Sequence, residues 1–89
     1  MEVSFSDSFK KAFHKRIKAS DIEQEFWKKL ELFINDPFDP KLKTHKLSGK
    51  LKDLWSFSVD YNLRVVFYFT KDKPKKAVLI EIGTHDEVY

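Results

Sequence analysis

Cysteine is absent from the chain, so neither a disulfide framework nor a thiolate metal site is available to it. With only two glycines, Gly49 and Gly83, there is no glycine-rich loop to cradle a phosphate. Three histidines, His14, His45 and His85, lack the close spacing of a zinc-ligand set, so no metal and no small-molecule cofactor is expected. No apolar run approaches the roughly 20 residues of a membrane helix. The opening Met1-Glu2-Val3-Ser4 is not the basic start of a signal peptide, and a cytoplasmic location without membrane contact is the expectation. Internal repeats and low-complexity tracts are also missing.

What is present suits one folded domain spanning residues 1–89. The composition is 42% hydrophobic and 16% aromatic, with nine phenylalanines, enough for a single core despite 35% charged residues. The net charge of +3 says little about partners, but its distribution says more. Between Lys41 and Lys52 stand Lys41, Lys43, His45, Lys46, Lys50 and Lys52 without one acid, while acids gather at Asp21 to Glu31 and Glu81 to Glu87. That segment is either a locally positive binding surface or a solvated lysine loop.

Phe5, Phe9, Ala12, Phe13 and Ile17 recur at helical spacing, which predicts a helix from about Ser6 to Lys18 with Ser6 and Asp7 at its amino end. Ser20 and Glu23 have the spacing of a capping box. A second helix should therefore run to about Asn35, burying Ile22, Phe26, Leu30 and Phe33, widened by Trp27 and Ile34, and ending at Asp36-Pro37.

Beyond Pro40 the period falls to two. Trp55, Phe57 and Val59 alternate with Ser56, Ser58 and Asp60, as in a strand with one face on a core. Leu63 to Phe69 and Ala77 to Ile82 are almost continuously apolar and read as central strands, joined to their neighbours by turns at Tyr61-Asn62 and Asp72-Lys73-Pro74. The expected fold class is α+β, a helical hairpin packed on a twisted antiparallel sheet of three to four strands. Met1 to Phe5 is long enough for a further strand, with its pairing open. Trp27, Trp55 and the phenylalanines match the buried faces, and His14 falls on a lysine-rich solvent face.

The chemistry-bearing residues are few. His85 follows Gly83-Thr84 at the end of the last strand, and Tyr89 follows His85 at the end of the chain. Arg64 sits among apolar strand neighbours, where a guanidinium needs either a carboxylate partner such as Glu81 or Asp60, or a phosphate. Histidine suits proton transfer because its unperturbed pKa is about 6.5.

Two helices, His45-Lys46-Leu47-Ser48-Gly49, Trp55-Ser56-Phe57-Ser58-Val59, Leu63-Arg64-Val65-Val66-Phe67 and the closing Gly83-Thr84-His85-Asp86-Glu87-Val88-Tyr89 together resemble the RelE/ParE toxin superfamily, and within it the YafQ branch. The resemblance covers essentially the whole chain. It implies a toxin of a type II toxin-antitoxin pair, an endoribonuclease that cuts messenger RNA on the ribosome and is blocked by a cognate antitoxin. By the same resemblance His45, Arg64, His85 and Tyr89 are catalytic candidates, His45 and His85 for proton transfer, Arg64 for transition-state charge and Tyr89 for stacking or proton chemistry. Tyr89 could equally close a core edge or fray. Lys43, Lys46, Lys50 and Lys52 are candidates for RNA phosphates, and the same positive surface would attract an acidic antitoxin segment.

The likeness is incomplete. Ser56, Ser58 and Asn62 stand where such enzymes carry basic residues, histidine or aspartate, and serine cannot supply positive charge. A ParE-like inhibitor of DNA gyrase, or a toxin fold that only binds an antitoxin, are the alternative functions.

Overall fold

The computed structural model describes residues 1–51 and 53–88. Strand β1 (Glu2–Phe5) leads into α1 (Asp7–Arg16) and α2 (Ile22–Asn35). A 3-10 turn at Pro40–Leu42 precedes the short β2 (His45–Lys46), and another at Gly49–Leu51 precedes β3 (Trp55–Ser58). Then come β4 (Leu63–Phe69), β5 (Lys76–Thr84) and a terminal helical turn, α3 (His85–Val88).

Helix α1 starts where its capping residue demands. Ser6 is extended and its Oγ accepts the Phe9 N–H at 3.1 Å. The helix stops at Arg16 rather than Lys18, because Ile17 turns into the core and Ala19 adopts a positive φ of 64°. The expected capping box does not form. Glu23 instead accepts the Ala19 N–H at 2.7 Å, and the Ser20 hydroxyl donates to the Ile17 carbonyl. Helix α2 ends at Asn35, where Asp36 becomes extended ahead of Pro37.

Five strands form one sheet in the order β1-β5-β4-β3-β2, one or two more than the sequence pattern resolved. Strand β1 pairs in parallel with β5, so the sheet is mixed, while the other pairings are antiparallel. Strand β1 occupies the segment from Met1 to Phe5 expected as a further strand, and β2, of two residues, is too short for alternation to reveal.

Both helices contribute to a core over one face of the sheet. Phe33 stacks on Phe57 at 4.8 Å and meets Phe67 edge-on at 4.9 Å, with Phe9, Phe26, Leu30, Leu79 and Ile82 around them. Trp27 departs from expectation: it is 45% exposed and, with Phe13 and Phe26, lines an apolar cleft between the helices. Its place on the flank of the α2 stripe turns it away from the sheet. Trp55 does pack against the core, edge-on to Phe69.

Alternation along β3 and β4 sends Phe57, Val65 and Phe67 to this core. Ser56, Ser58, Arg64 and Val66 therefore belong to the opposite face. A bulge opposite Val66 and Phe67, where Glu81 and Leu79 pair with them and Ile80 is extra, reverses the parity of β5. Beyond it Ile82 faces the core, and Gly83 lies across from Arg64.

Candidate functional site

The face opposite the helices gathers most of the residues that can carry chemistry. His45 pairs with Ser56, Arg64 with Ser58 on one side and with Gly83 on the other, and β5 runs on into His85. Gly83 has a specific reason to be glycine. A Cβ there would lie 3.1 Å from Val88 Cγ1 and 3.4 Å from Glu87 Cβ, so its absence lets α3 fold closely onto the end of the strand.

Glu87 secures that turn. Its Oε1 accepts the Thr84 N–H at 2.9 Å, and its carboxylate forms an ion pair with Arg16 of α1. The Thr84 backbone bond and the Arg16 guanidinium hold the Glu87 carboxyl below its ordinary pKa. His85, at the first position of α3, is thereby placed on a tethered element rather than on an extended tail. Asp86 lies fully exposed, and its carboxylate is 3.7 Å from His85 Nδ1, too far for a hydrogen bond.

Two depressions meet at His85. One, about 300 Å³, is lined by His45, Lys46, Leu47, Ser48, Leu51 and His85. The other, about 310 Å³, is lined by Tyr61, Asn62, Arg64, Thr84, His85 and Asp86. Two segments forty residues apart thus bring both histidines to one cleft, and His85 is shared with Arg64 in the next.

His45 is oriented by a local bond. Its Nδ1 lies 2.9 Å from the Lys43 carbonyl oxygen. A carbonyl can only accept, so Nδ1 carries the proton and the lone pair of the neutral ring sits on Nε2. Lys43 presents that carbonyl from a left-handed conformation, φ 53° and ψ 38°, unusual for a non-glycine residue.

Arg64 pairs with neither carboxylate considered from sequence. Its Nη1 donates to the carbonyls of Asp60 at 2.8 Å, Tyr61 at 3.0 Å and Leu63 at 3.3 Å. The Asp60 carboxylate is used inside the same turn, accepting the N–H groups of Asn62 and Leu63 at 2.8 Å each. The guanidinium is thus fixed through one nitrogen, and among the described residues Nε and Nη2 have no protein partner.

Of the lysines, Lys46 lines the His45 cleft, Lys43 lines a separate basic depression with Arg64, and Lys50 lies exposed outside the clefts. Lys52 and Tyr89 fall outside the described residues. Ser56 and Ser58 are buried, 0% and 8% exposed, and Asn62 lines the Arg64 cleft. Sequence reasoning does not consider Lys29, counts Lys41 in the basic segment without naming it for RNA phosphates, and reads Tyr61 only as a turn residue although it is 90% exposed. An aromatic at a hairpin tip was the available signal.

A helical pair on one face of a small mixed sheet, with histidines and an arginine on the other, defines a RelE-type toxin fold. The profile of the bacterial toxin of type II toxin-antitoxin systems, YafQ, matches residues 1–89, and the chain belongs to that family. YafQ from Escherichia coli BL21(DE3) has 19% sequence identity and a TM-score of 0.75, over 99% of this chain and 97% of that one. The E. coli DinJ-YafQ complex matches at 19% identity and a TM-score of 0.71, over 99% and 97%. A metal-bound toxin from Helicobacter pylori matches at 26% identity and a TM-score of 0.74, over 100% and 99%. Among the described residues of this chain no group of three potential metal ligands converges. No curated protein sequence matches the chain.

Proposed function

We propose that this toxin cleaves ribosome-bound messenger RNA by attack of the RNA's own 2′-hydroxyl, and that a cognate antitoxin blocks it. The single observation that carries the reading is the convergence of His45 and His85 on one cleft, with Arg64 sharing the next cleft with His85. In this mechanism the 2′-oxygen bonds to the adjacent phosphorus and its proton passes to the Nε2 lone pair of His45. The bond from phosphorus to the 5′-oxygen breaks, and His85 protonates that oxygen as it leaves. Arg64, held by the hairpin carbonyls, stabilises the extra charge on the phosphorane through its unused nitrogens. RNA supplies the nucleophile, so the chemistry balances without a cofactor. A small serine at positions 56 and 58 leaves positive charge to come from Arg64 and Lys46.

Antitoxin binding follows from charge. The segment from Lys41 to Lys52 has no acid, so an acidic partner segment laid over it would occupy the RNA surface. The E. coli DinJ-YafQ toxin-antitoxin complex is the precedent for an antitoxin partner.

The test is cleavage mapping on ribosome-bound message with the wild type and His85→Ala. Products ending in a 2′,3′-cyclic phosphate are expected, with the variant slower by about 100- to 10,000-fold. Intact transcripts during wild-type growth arrest would overturn the nuclease reading and favour a gyrase target. Cleavage that persists after the target 2′-hydroxyl is replaced by hydrogen would overturn the proposed nucleophile.

A further inference from the structure

A third depression adjoins the two that contain the histidines. It encloses about 300 Å³ and is lined by Lys29, Lys41, Lys43, Ser58, Val59, Asp60, Tyr61 and Arg64. It shares Arg64 and Tyr61 with the Arg64–His85 cleft, which in turn shares His85 with the His45 cleft. Arg64 and His85 each line two of the three hollows.

The charges along the outer hollow are unequal. Lys29 is already engaged, with Glu25 Oε1 at 2.8 Å and the Val59 carbonyl at 2.9 Å. No carboxylate among the described residues forms an ion pair with Lys41 or Lys43. Asp60 turns its carboxylate toward the backbone N–H groups of its own turn. An anion entering the hollow would therefore meet two available ammonium groups and Arg64. At the lip stands Tyr61, whose ring contributes almost nothing to the core and whose backbone carbonyl helps hold Arg64.

We propose that this hollow is a nucleotide subsite of the RNA track, in which Lys41 and Lys43 bind the phosphate next along the strand from the scissile one and Tyr61 stacks on the accompanying base. The proposal rests on the reading of the protein as an RNA-cleaving toxin and adds three residues to it. A cation cluster beside an exposed aromatic suits a single strand, because phosphates recur along its backbone and every base offers a face for stacking. Tyr61 and Arg64 share one hairpin, so a base on Tyr61 would also register the neighbouring phosphate against Arg64.

Binding of a short single-stranded RNA carrying a 2′-O-methyl group at the target nucleotide, which blocks cleavage, tests the subsite. Tyr61→Ala is expected to weaken binding about 5- to 140-fold, the equivalent of ~1–3 kcal/mol, and Tyr61→Phe to restore most of it. An RNA with an abasic nucleotide at one flanking position should bind the wild type as weakly as Tyr61→Ala binds the intact strand, and Tyr61→Ala should be indifferent to that change. Lys41→Gln with Lys43→Gln should flatten the slope of log affinity against log salt by about 0.7 for each phosphate no longer neutralised. Wild-type binding left unchanged by the Tyr61 and lysine variants would overturn the subsite alone. Failure of the wild type to bind the RNA on or off the ribosome would overturn the subsite and the nuclease reading together. Tyr61 lies at an exposed hairpin tip, so its variants should retain the wild-type melting profile.

Discussion

His45 owes its tautomer to a carbonyl two residues earlier, and Arg64 owes its position to three carbonyls of its own hairpin. Among the described residues, backbone carbonyls rather than a charged side chain hold Arg64, and a backbone carbonyl also orients His45. This matters for Arg64, because a carboxylate partner would neutralise it whereas carbonyl oxygens leave its positive charge available for a phosphate. Replacement by alanine should therefore separate stability from activity. The half-exposed hairpin carbonyls can turn to water, so Arg64→Ala should cost about 1 kcal/mol in a urea melt. Cleavage of ribosome-bound message should fall by about 100- to 1,000-fold, the range for removal of a transition-state donor. Equal small effects in both measurements would reduce Arg64 to a hairpin brace. The arginine was legible in sequence because it interrupts an apolar strand. Its partners were not, since the fold of a turn decides which carbonyls come within reach.

At the scale of elements, α3 is the piece on which the site depends. It is a single turn, too short to be stable by itself, and is held by the bare Cα of Gly83 and by Glu87. Because the folded Glu87 carboxyl has a lowered pKa, its stabilising contribution is complete above the unfolded carboxylate range of about 4.3. It is lost as pH falls through the still lower folded value. Amide exchange should report this directly: Thr84 N–H protection should drop below about pH 4 in the wild type and be weak throughout in Glu87→Ala, which lacks the accepting oxygen. Protection that is independent of both pH and the substitution would show that α3 is held by other interactions. The bulge at Ile80 acts at the same scale. The apolar run from Ala77 to Ile82 conceals it, because almost every residue around the shift is hydrophobic and alternation leaves no trace. Yet the bulge decides that Gly83 lies across from Arg64, where α3 can cover it.

For the molecule as a whole, the helical face and the reactive face have separate tasks. Phe33 is fully buried and joins α2 to β3 and β4 through Phe57 and Phe67. Phe33→Ala should lower unfolding free energy by about 3–5 kcal/mol, read from the urea midpoint at unchanged m-value. Against a total of roughly 5–15 kcal/mol for a domain, that decrease is enough to populate unfolded chain. His85→Ala should leave the same midpoint within about 0.5 kcal/mol, because the residue is exposed and outside the core. A large shift for His85→Ala would mean that the reactive face also supports the fold.

Local sequence settled the elements and the residue types. Aromatic residues at helical spacing made the two helices, alternation made β3, apolar runs made β4 and β5, and the closing motifs carried the family likeness. These are properties read within a turn or a strand. Which of the distant groups meet was settled only when the chain folded. His45 and His85 are forty residues apart and share a cleft only because β2 lies at one edge of the sheet while α3 folds back from β5. Tyr61, a turn residue by local pattern, gains its place between two hollows from the same arrangement, since adjacency across a sheet depends on register, which no single strand encodes.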